Sequence, residues 1–192
     1  MAPMDEFLQI AGTVLGVAYV VMLIDRRVLA WPFGIASCLI MAYSFWVGDS
    51  PLYLETVSNV VYAVVGLYGW NYWHRQKGLR RSSSSFIVKE WHWSVHLVVV
   101  LGGIGLSFAI FLALRQTNDA RPLADSLSTV FALLATWMQA RKVLSNWLYW
   151  IIIDLGLAVL YAQTGYGWYA GLMVVYVALA IWGYLVWRNA KI

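Results

Sequence analysis

The stretch RKVLSNWLYWIIIDLGLAVLYAQ, from Arg141 to Gln163, decides how the rest of the chain is read. Two basic residues give way to a run of helix length that is apolar except for one carboxylate, Asp154, at its centre. A helix needs about 20 mostly apolar residues to cross the hydrocarbon core of a bilayer. The run lacks the period-two alternation of a strand and is too long for one. It reads as a transmembrane span over 145–163, entered beside a pair of cations.

Reading outward from it finds six more runs of the same kind, roughly 7–24, 28–47, 52–73, 93–114, 122–140 and 166–187. They are separated by Asp25-Arg26-Arg27, Gly48-Asp49-Ser50-Pro51, the polar stretch 74–90, Arg115 to Arg121, Arg141-Lys142, and Gln163-Thr164-Gly165. The composition agrees: 192 residues, 62% hydrophobic, 11% charged, mean hydropathy +0.69. A soluble domain carries roughly a quarter charged residues, so this chain cannot cover a water-facing surface. A soluble enzyme and a disordered chain are excluded, and seven spans are expected. The single cysteine, Cys38, rules out an internal disulfide, and no Cys/His cluster suits structural zinc. The start, Met1-Ala2-Pro3-Met4-Asp5-Glu6, lacks the basic n-region of a cleavable signal.

Basic residues are retained on the cytoplasmic side of a membrane. With the N-terminus outside, Arg26, Arg27, Arg75, Lys77, Arg80, Arg81, Lys89, Arg141, Lys142, Arg188 and Lys191 all fall inside, and only Arg115 and Arg121 fall outside. The expected topology is N-out and C-in, multi-pass in the inner (cytoplasmic) membrane. Because the charge is divided among four short segments, no patch exists for nucleic acid. The run Ser82-Ser83-Ser84-Ser85 reads as a flexible piece of the third loop.

An internal repeat is visible. Arg26-Arg27-Val28-Leu29-Ala30-Trp31 resembles Arg141-Lys142-Val143-Leu144-Ser145-Asn146-Trp147 if one residue is inserted before the tryptophan. Beyond it, Ile35, Leu39 and Ala42 meet Ile151, Leu155 and Ala158. Val60-Val61-Tyr62 meets Val174-Val175-Tyr176, and Gly69 and Trp73 meet Gly183 and Trp187. The first unit spans about 7–73 and the second about 122–187. A single linker helix, 93–114, lets both run in the same direction. The expected fold is all-α and seven-helical, two parallel three-helix repeats in a 3+1+3 order, one transporter domain over 1–192. Parallel repeats occur in one transporter class, which holds its substrate near the midplane. Similarity of aromatic-rich helices by composition alone is the other explanation.

Asp154 is the deepest charge, and a carboxylate at the bilayer centre costs about 2.5–3.5 kcal/mol on insertion scales. No Lys or Arg lies inside any span to neutralise it. Trp147 and Trp150 precede it at spacings that share one helix face. Two rings and a carboxylate make a receptor for a flat cation through stacking and cation–π attraction. A structural Asp beside interfacial tryptophans is the plainer reading. The third span carries Glu55, Asn59, Tyr62 and Gly66 on one stripe, matched in the seventh by Tyr169, Met173, Tyr176 and Ala180. The fifth shows Asp125, Thr129, Ala132, Thr136 and Gln139. Amides and hydroxyls at such depth can bond the diol of a sugar. Glu55 and Asp125 also fit a merely solvated position.

Other signals are weaker. His92 and His96 lack a third metal ligand and suit an interfacial role, so no metal is expected. Gly12 and Gly16, and Gly102, Gly103 and Gly105, suit close helix contact, not a phosphate loop. No hydrolytic or ATP-binding motif is present, and residues 166–187 hold no lysine for a retinal Schiff base. Neither an enzyme nor a cofactor is expected. A receptor or assembly subunit is the alternative outside transport.

The segment Tyr68-Gly69-Trp70-Asn71-Tyr72-Trp73-His74-Arg75-Gln76 resembles the helix-3 end motif of the PnuC family of vitamin transporters. Ala140 to Trp150, with its N-W-x-x-W core, resembles the start of that family's sixth core helix, and Trp31-Pro32-Phe33-Gly34 its second. The likeness runs from about residue 10 to 188. It implies a seven-helix core related to the sugar-transporting SWEETs, usually a homotrimer. It also implies facilitated uptake of nicotinamide riboside, kept in the cell by a cytosolic kinase, with thiamine carried by other members. At the position of a Gln in riboside carriers stands Asn59, and Asp154 stands where riboside carriers have an Asn, so nicotinamide riboside is expected first and thiamine second. The expected roles follow: Trp147 and Trp150 stack on the ring, Asp154 offsets its charge, and Asn59 and Gln139, with Thr136 on the same face as Gln139, bond hydroxyls. Tyr62 and Tyr176 flank the path, and Glu55 adds an outer carboxylate. No energy source is encoded. The membrane potential draws a monovalent cation inward by about 2.3 kcal/mol per 100 mV, so uniport is expected.

Overall fold

The structure, a computed structural model, describes residues 3–47, 53–78, 87–115 and 121–189. Among these residues the chain forms seven α-helices: α1 (Pro3–Ile24), α2 (Ala30–Val47), α3 (Tyr53–Gly78), α4 (Trp93–Leu114), α5 (Pro122–Ala140), α6 (Asn146–Gln163) and α7 (Gly167–Arg188). Each expected span falls on one of them. The main departure is α3, which runs on to Gly78 because the polar tail after Trp73 contains no helix breaker before that glycine. An apolar run marks where lipid ends, not where hydrogen bonding along the backbone ends. The serine run 82–85 and the Gly48–Pro51 separator lie outside the described residues.

Four helices are long and apolar enough to cross a membrane by length and composition: α1 from Phe7, α2, α4 and α7. The three that fall short, α3, α5 and α6, are those that carry Glu55, Asn59, Thr136, Gln139 and Asp154. Large apolar side chains stand exposed along the helices, with Val98 at 70% and Ile152 at 71%. Surfaces of this kind are stable only against lipid or a partner.

By contacts the described chain divides into two compact units. The first comprises α1–α3 and the end of α7 from Val186, and the second runs from Val88 to Leu185, so that α4 joins α5 and α6. In the first unit α2 packs on both α1 and α3. A Cβ on Gly12 would lie 2.7 Å from the Met41 sulfur, and Ser37 Oγ donates to the Gly12 carbonyl at 2.7 Å. Of the α4 glycines, Gly103 lies under Phe131, whereas Gly102 and Gly105 face open space. The expected contact therefore narrows to a single residue.

Both units close their ends with a tryptophan laid on a glycine. A Cβ on Gly69 would fall 2.5 Å from the Trp31 ring, and one on Gly183 would fall 2.7 Å from the Trp147 ring. Only glycine lets the indole approach the helix so closely. In the first unit Trp31 meets Trp73 edge-on at 5.5 Å, Trp73 meets Trp187 at 6.0 Å, and Trp187 Nε1 donates to the Leu23 carbonyl at 3.2 Å. The edge-on geometry is what the ring quadrupole favours.

The α1–α2 and α5–α6 turns match bond for bond at one constant offset, the one that carries Arg26 onto Lys142 and Trp31 onto Trp147. Arg26 N donates to Leu23 O and Arg27 N to Met22 O, while Lys142 N donates to Gln139 O and Val143 N to Met138 O. Ala30 N to Arg27 O and Trp31 N to Val28 O are repeated as Asn146 N to Val143 O and Trp147 N to Leu144 O. Each turn is a Schellman motif whose left-handed residue is a cation, Arg26 at φ 61 and Lys142 at φ 60, where glycine is usual. A cation at a helix C-terminus complements the helix dipole. The one-residue insertion inferred from side-chain likeness is thereby removed: backbone geometry, not the Arg-Arg/Arg-Lys match, sets the register.

Candidate functional site

The buried face of α6 is built on a spacing of three and four. Trp147, Asp154 and Ala158 are buried and Trp150 half-buried, while Leu148, Ile152, Leu155 and Val159 on the other faces are exposed. The Asp154 carboxyl, 6% exposed, therefore points away from the lipid-facing surface. Along the axis Trp150 lies about 6 Å from Asp154 and Trp147 about 10 Å, at 1.5 Å per residue.

Those distances separate the roles expected of the two rings. Trp147 is 1% exposed and its ring is committed to Gly183. It is a packing element, as Trp31 is on Gly69, and its indole has no face left for a solute. The W-x-x-W spacing thus serves a helix lock at its first ring. Trp150 retains surface, and its buried Nε1–H finds no acceptor among the described residues. A buried N–H without a partner costs about 1–3 kcal/mol, which a ligand hydroxyl or water would recover.

Across from α6, the Tyr176 hydroxyl of α7 lies within electrostatic reach of Asp154. The first unit holds the matching pair. At the offset set by the turns, Cys38 of α2 corresponds to Asp154, and the Tyr62 hydroxyl of α3 lies within reach of Cys38. The sequence repeat carries the same correspondence, an uncharged thiol in one copy where the other has a carboxylate.

Other expected groups are partly engaged within their own helices. Thr136, buried, donates from Oγ1 to the Ala132 carbonyl at 2.8 Å, leaving only its lone pairs. Asn59 donates from Nδ2 to the Glu55 carbonyl at 2.9 Å, and Glu55 is half-buried beside it. Gln139, 2% exposed, sits in the last turn of α5 and its carbonyl caps the Schellman turn. Thr136, Gln139, Trp147, Trp150, Asp154 and Tyr176 thus belong to the second unit, and Glu55, Asn59 and Tyr62 to the first.

His92 and His96 do not form a pair. His92 Nδ1 accepts from Ser94 N at the start of α4, whereas His96 joins Tyr149 Oη at 3.1 Å and Ser145 Oγ at 3.2 Å. Among the described residues no group of three potential metal ligands occurs.

The family described as "Nicotinamide mononucleotide transporter" matches residues 6–189. Among curated proteins, the "Riboflavin/roseoflavin transporter RibM" of Streptomyces davaonensis is 24% identical, covering 92% of this chain and 82% of its own. The "Nicotinamide riboside transporter PnuC" of Escherichia coli is 21% identical, over 96% and 86%. The PnuC of Neisseria mucosa is 24% identical, over 96% and 73%. Of solved structures, the "Crystal structure of the Vitamin B3 transporter PnuC" superposes with a TM-score of 0.76 at 20% identity, over 98% of this chain and 83% of the other.

Proposed function

The chain belongs to the nicotinamide mononucleotide transporter (PnuC) family, a family of membrane transporters and not of enzymes, and on that premise we propose that it carries a flat cationic vitamin, nicotinamide riboside first, by facilitated diffusion. One observation carries the cationic part. Asp154 is turned to the buried face of α6, with no Lys or Arg in any span to neutralise it. An intramembrane carboxylate is costly, and a cationic ring beside it offsets that cost in the loaded state. Trp150 supplies the ring face and an N–H, and Tyr176 the hydroxyl nearest the charge. Thr136 and Gln139 of the same unit bond ribose hydroxyls; in the first unit Asn59 and Tyr62 offer groups of the same kind, and Glu55 draws cations toward the outer end. Trp147 holds the scaffold for these groups.

The triplets α1–α3 and α5–α7 act as parallel repeats with α4 as linker, a reading supported by the matched turns and tryptophan locks. The N-out, C-in orientation rests on the distribution of Lys and Arg, the inner membrane on the same distribution, and the homotrimer on resemblance alone. Riboflavin is the second reading, favoured by the 24% identity to RibM. It is a neutral flat ring with a polyol chain and gives Asp154 nothing to neutralise. Thiamine, a cation, fits the carboxylate as well as the riboside does.

Reconstitution into liposomes tests the proposal. Nicotinamide riboside should enter without an ion gradient, faster under an inside-negative potential, and Trp150→Ala should weaken its binding about tenfold or more, the loss of one ring contact of about 1.4 kcal/mol. Strict dependence on a proton or sodium gradient would refute uniport. Transport of riboflavin with no movement of either cation would refute the cationic reading.

A further inference from the structure

The two units fill one level of their first two helices in opposite ways. In the first, a Cβ on Gly34 of α2 would fall 2.8 Å from the Tyr19 ring of α1, and its three nearest atoms are all carbons of that ring. The ring stands where a side chain at 34 would have to lie. This level therefore takes a ring from α1 or from α2, but not from both. The Tyr19 ring also meets Trp31 at 5.8 Å, and its hydroxyl lies within electrostatic reach of Cys38, one turn beyond Gly34.

The offset that carries Trp31 onto Trp147 and Cys38 onto Asp154 carries Tyr19 onto Ala135 and Gly34 onto Trp150. Ring and small residue have changed helices. Alanine is common in membrane helices, so its identity alone carries little. Its setting carries more: Ala135 is 0% exposed, and one turn before it Phe131 stands 6.4 Å from Tyr149, the neighbour of Trp150. The α5–α6 turn nearby is pinned from outside, since Lys89 N–H donates to the Lys142 carbonyl at 2.8 Å and Leu144 N to the Lys89 carbonyl at 2.9 Å. In the first unit the ring and the polar position belong to different helices, Tyr19 on α1 and Cys38 on α2. In the second, Trp150 and Asp154 stand one turn apart on α6, about 6 Å along the axis. One rigid element then sets the spacing of aromatic face and charge, as a binding site requires.

We propose that Ala135 is a positioning residue of the solute site: by confining its side chain to one methyl group, it leaves the Trp150 ring the space on α5 that Tyr19 fills on α1. It touches no solute and acts through Trp150, so the inference rests on the stacking role given to that ring above. The test compares the purified full chain with Ala135→Ser, Ala135→Tyr, Trp150→Gly and the double variant Ala135→Tyr/Trp150→Gly, by thermal unfolding in detergent and by titration with nicotinamide riboside. Ala135→Ser should keep both stability and binding. Ala135→Tyr sets two rings in one space and should lower the midpoint on the order of 5 °C and weaken the riboside about tenfold or more. The double variant rebuilds the first unit's arrangement, so it should recover the midpoint and not the binding, a split that a merely structural alanine would not produce. If Ala135→Tyr cannot be purified, Ala135→Leu carries the same comparison. In the first unit, Tyr19→Ala should likewise raise the midpoint of Gly34→Trp. A double variant no more stable than Ala135→Tyr overturns the shared space, and unchanged riboside affinity in Ala135→Tyr overturns the positioning role. Unchanged affinity in Trp150→Gly overturns the stacking role and the positioning role with it, and is told apart because the recovery of stability persists.

Discussion

The two units share a scaffold and differ in chemistry. Each has a Schellman turn with a left-handed cation, Arg26 or Lys142, followed by a buried tryptophan on a glycine, Trp31 on Gly69 or Trp147 on Gly183. Each then places a tyrosine hydroxyl within reach of one polar position on the middle helix. In the first unit that position is Cys38, and in the second it is Asp154. The turns differ in cover as well. Arg26 is exposed, whereas Lys142 is 8% exposed beneath the Lys89 segment. What is duplicated is the packing; what is unique is the charge. A repeat can therefore fix architecture while a charged group stands in one copy alone.

The locks give the strongest way to break this comparison. Trp31→Ala and Trp147→Ala should each cost about 3–5 kcal/mol of stability, the usual range for deleting a fully buried Trp. Unfolding of each variant in mild detergent measures it. Similar losses support equivalent locks, and a loss at only one position reduces the likeness to composition.

Crowding the same contacts should cost less. Gly69→Ala and Gly183→Ala each put a methyl group inside the contact distance of an indole that has no room to yield. Overpacking of this sort costs about 1–3 kcal/mol. The same unfolding assay should place both below the tryptophan deletions and near one another.

The turns sharpen the comparison through its smallest effect. A left-handed residue with a Cβ carries about 1–2 kcal/mol of strain, against about 0.3–1 kcal/mol from the helix dipole. Arg26→Gly, on an open turn, should raise stability on the order of 0.5–1 kcal/mol. Lys142→Gly should not, because it also removes a buried side chain. Equal gains at both would mean the Lys89 segment contributes nothing to the second turn.

Much of the fold was legible in the residues. Apolar runs between charged clusters placed all seven helices, since lipid leaves the backbone no alternative to helix. The tail of α3 after Trp73 was missed because hydropathy reports the bilayer and not the helix. The pairing of Lys89 with the α5–α6 turn is a long-range contact of a short polar segment and carries no periodic signal. The register of the repeat was misjudged by one residue at the turns, since like side chains invited a match that backbone geometry does not keep. At the site, the spacing of Trp147, Trp150 and Asp154 did put all three on the buried face. It could not tell a ring held by a glycine from a ring with surface to offer, because the glycine, Gly183, lies on another helix.

The most direct test of the account is a pair of binding titrations on the purified chain and its Asp154→Asn variant, one with nicotinamide riboside and one with riboflavin. If the carboxylate neutralises a cationic ring, the substitution weakens the riboside at least tenfold, about 1.4 kcal/mol, and changes riboflavin by less than twofold. An unchanged riboside affinity, or an equal loss for both compounds, would contradict a charge-based site on α6.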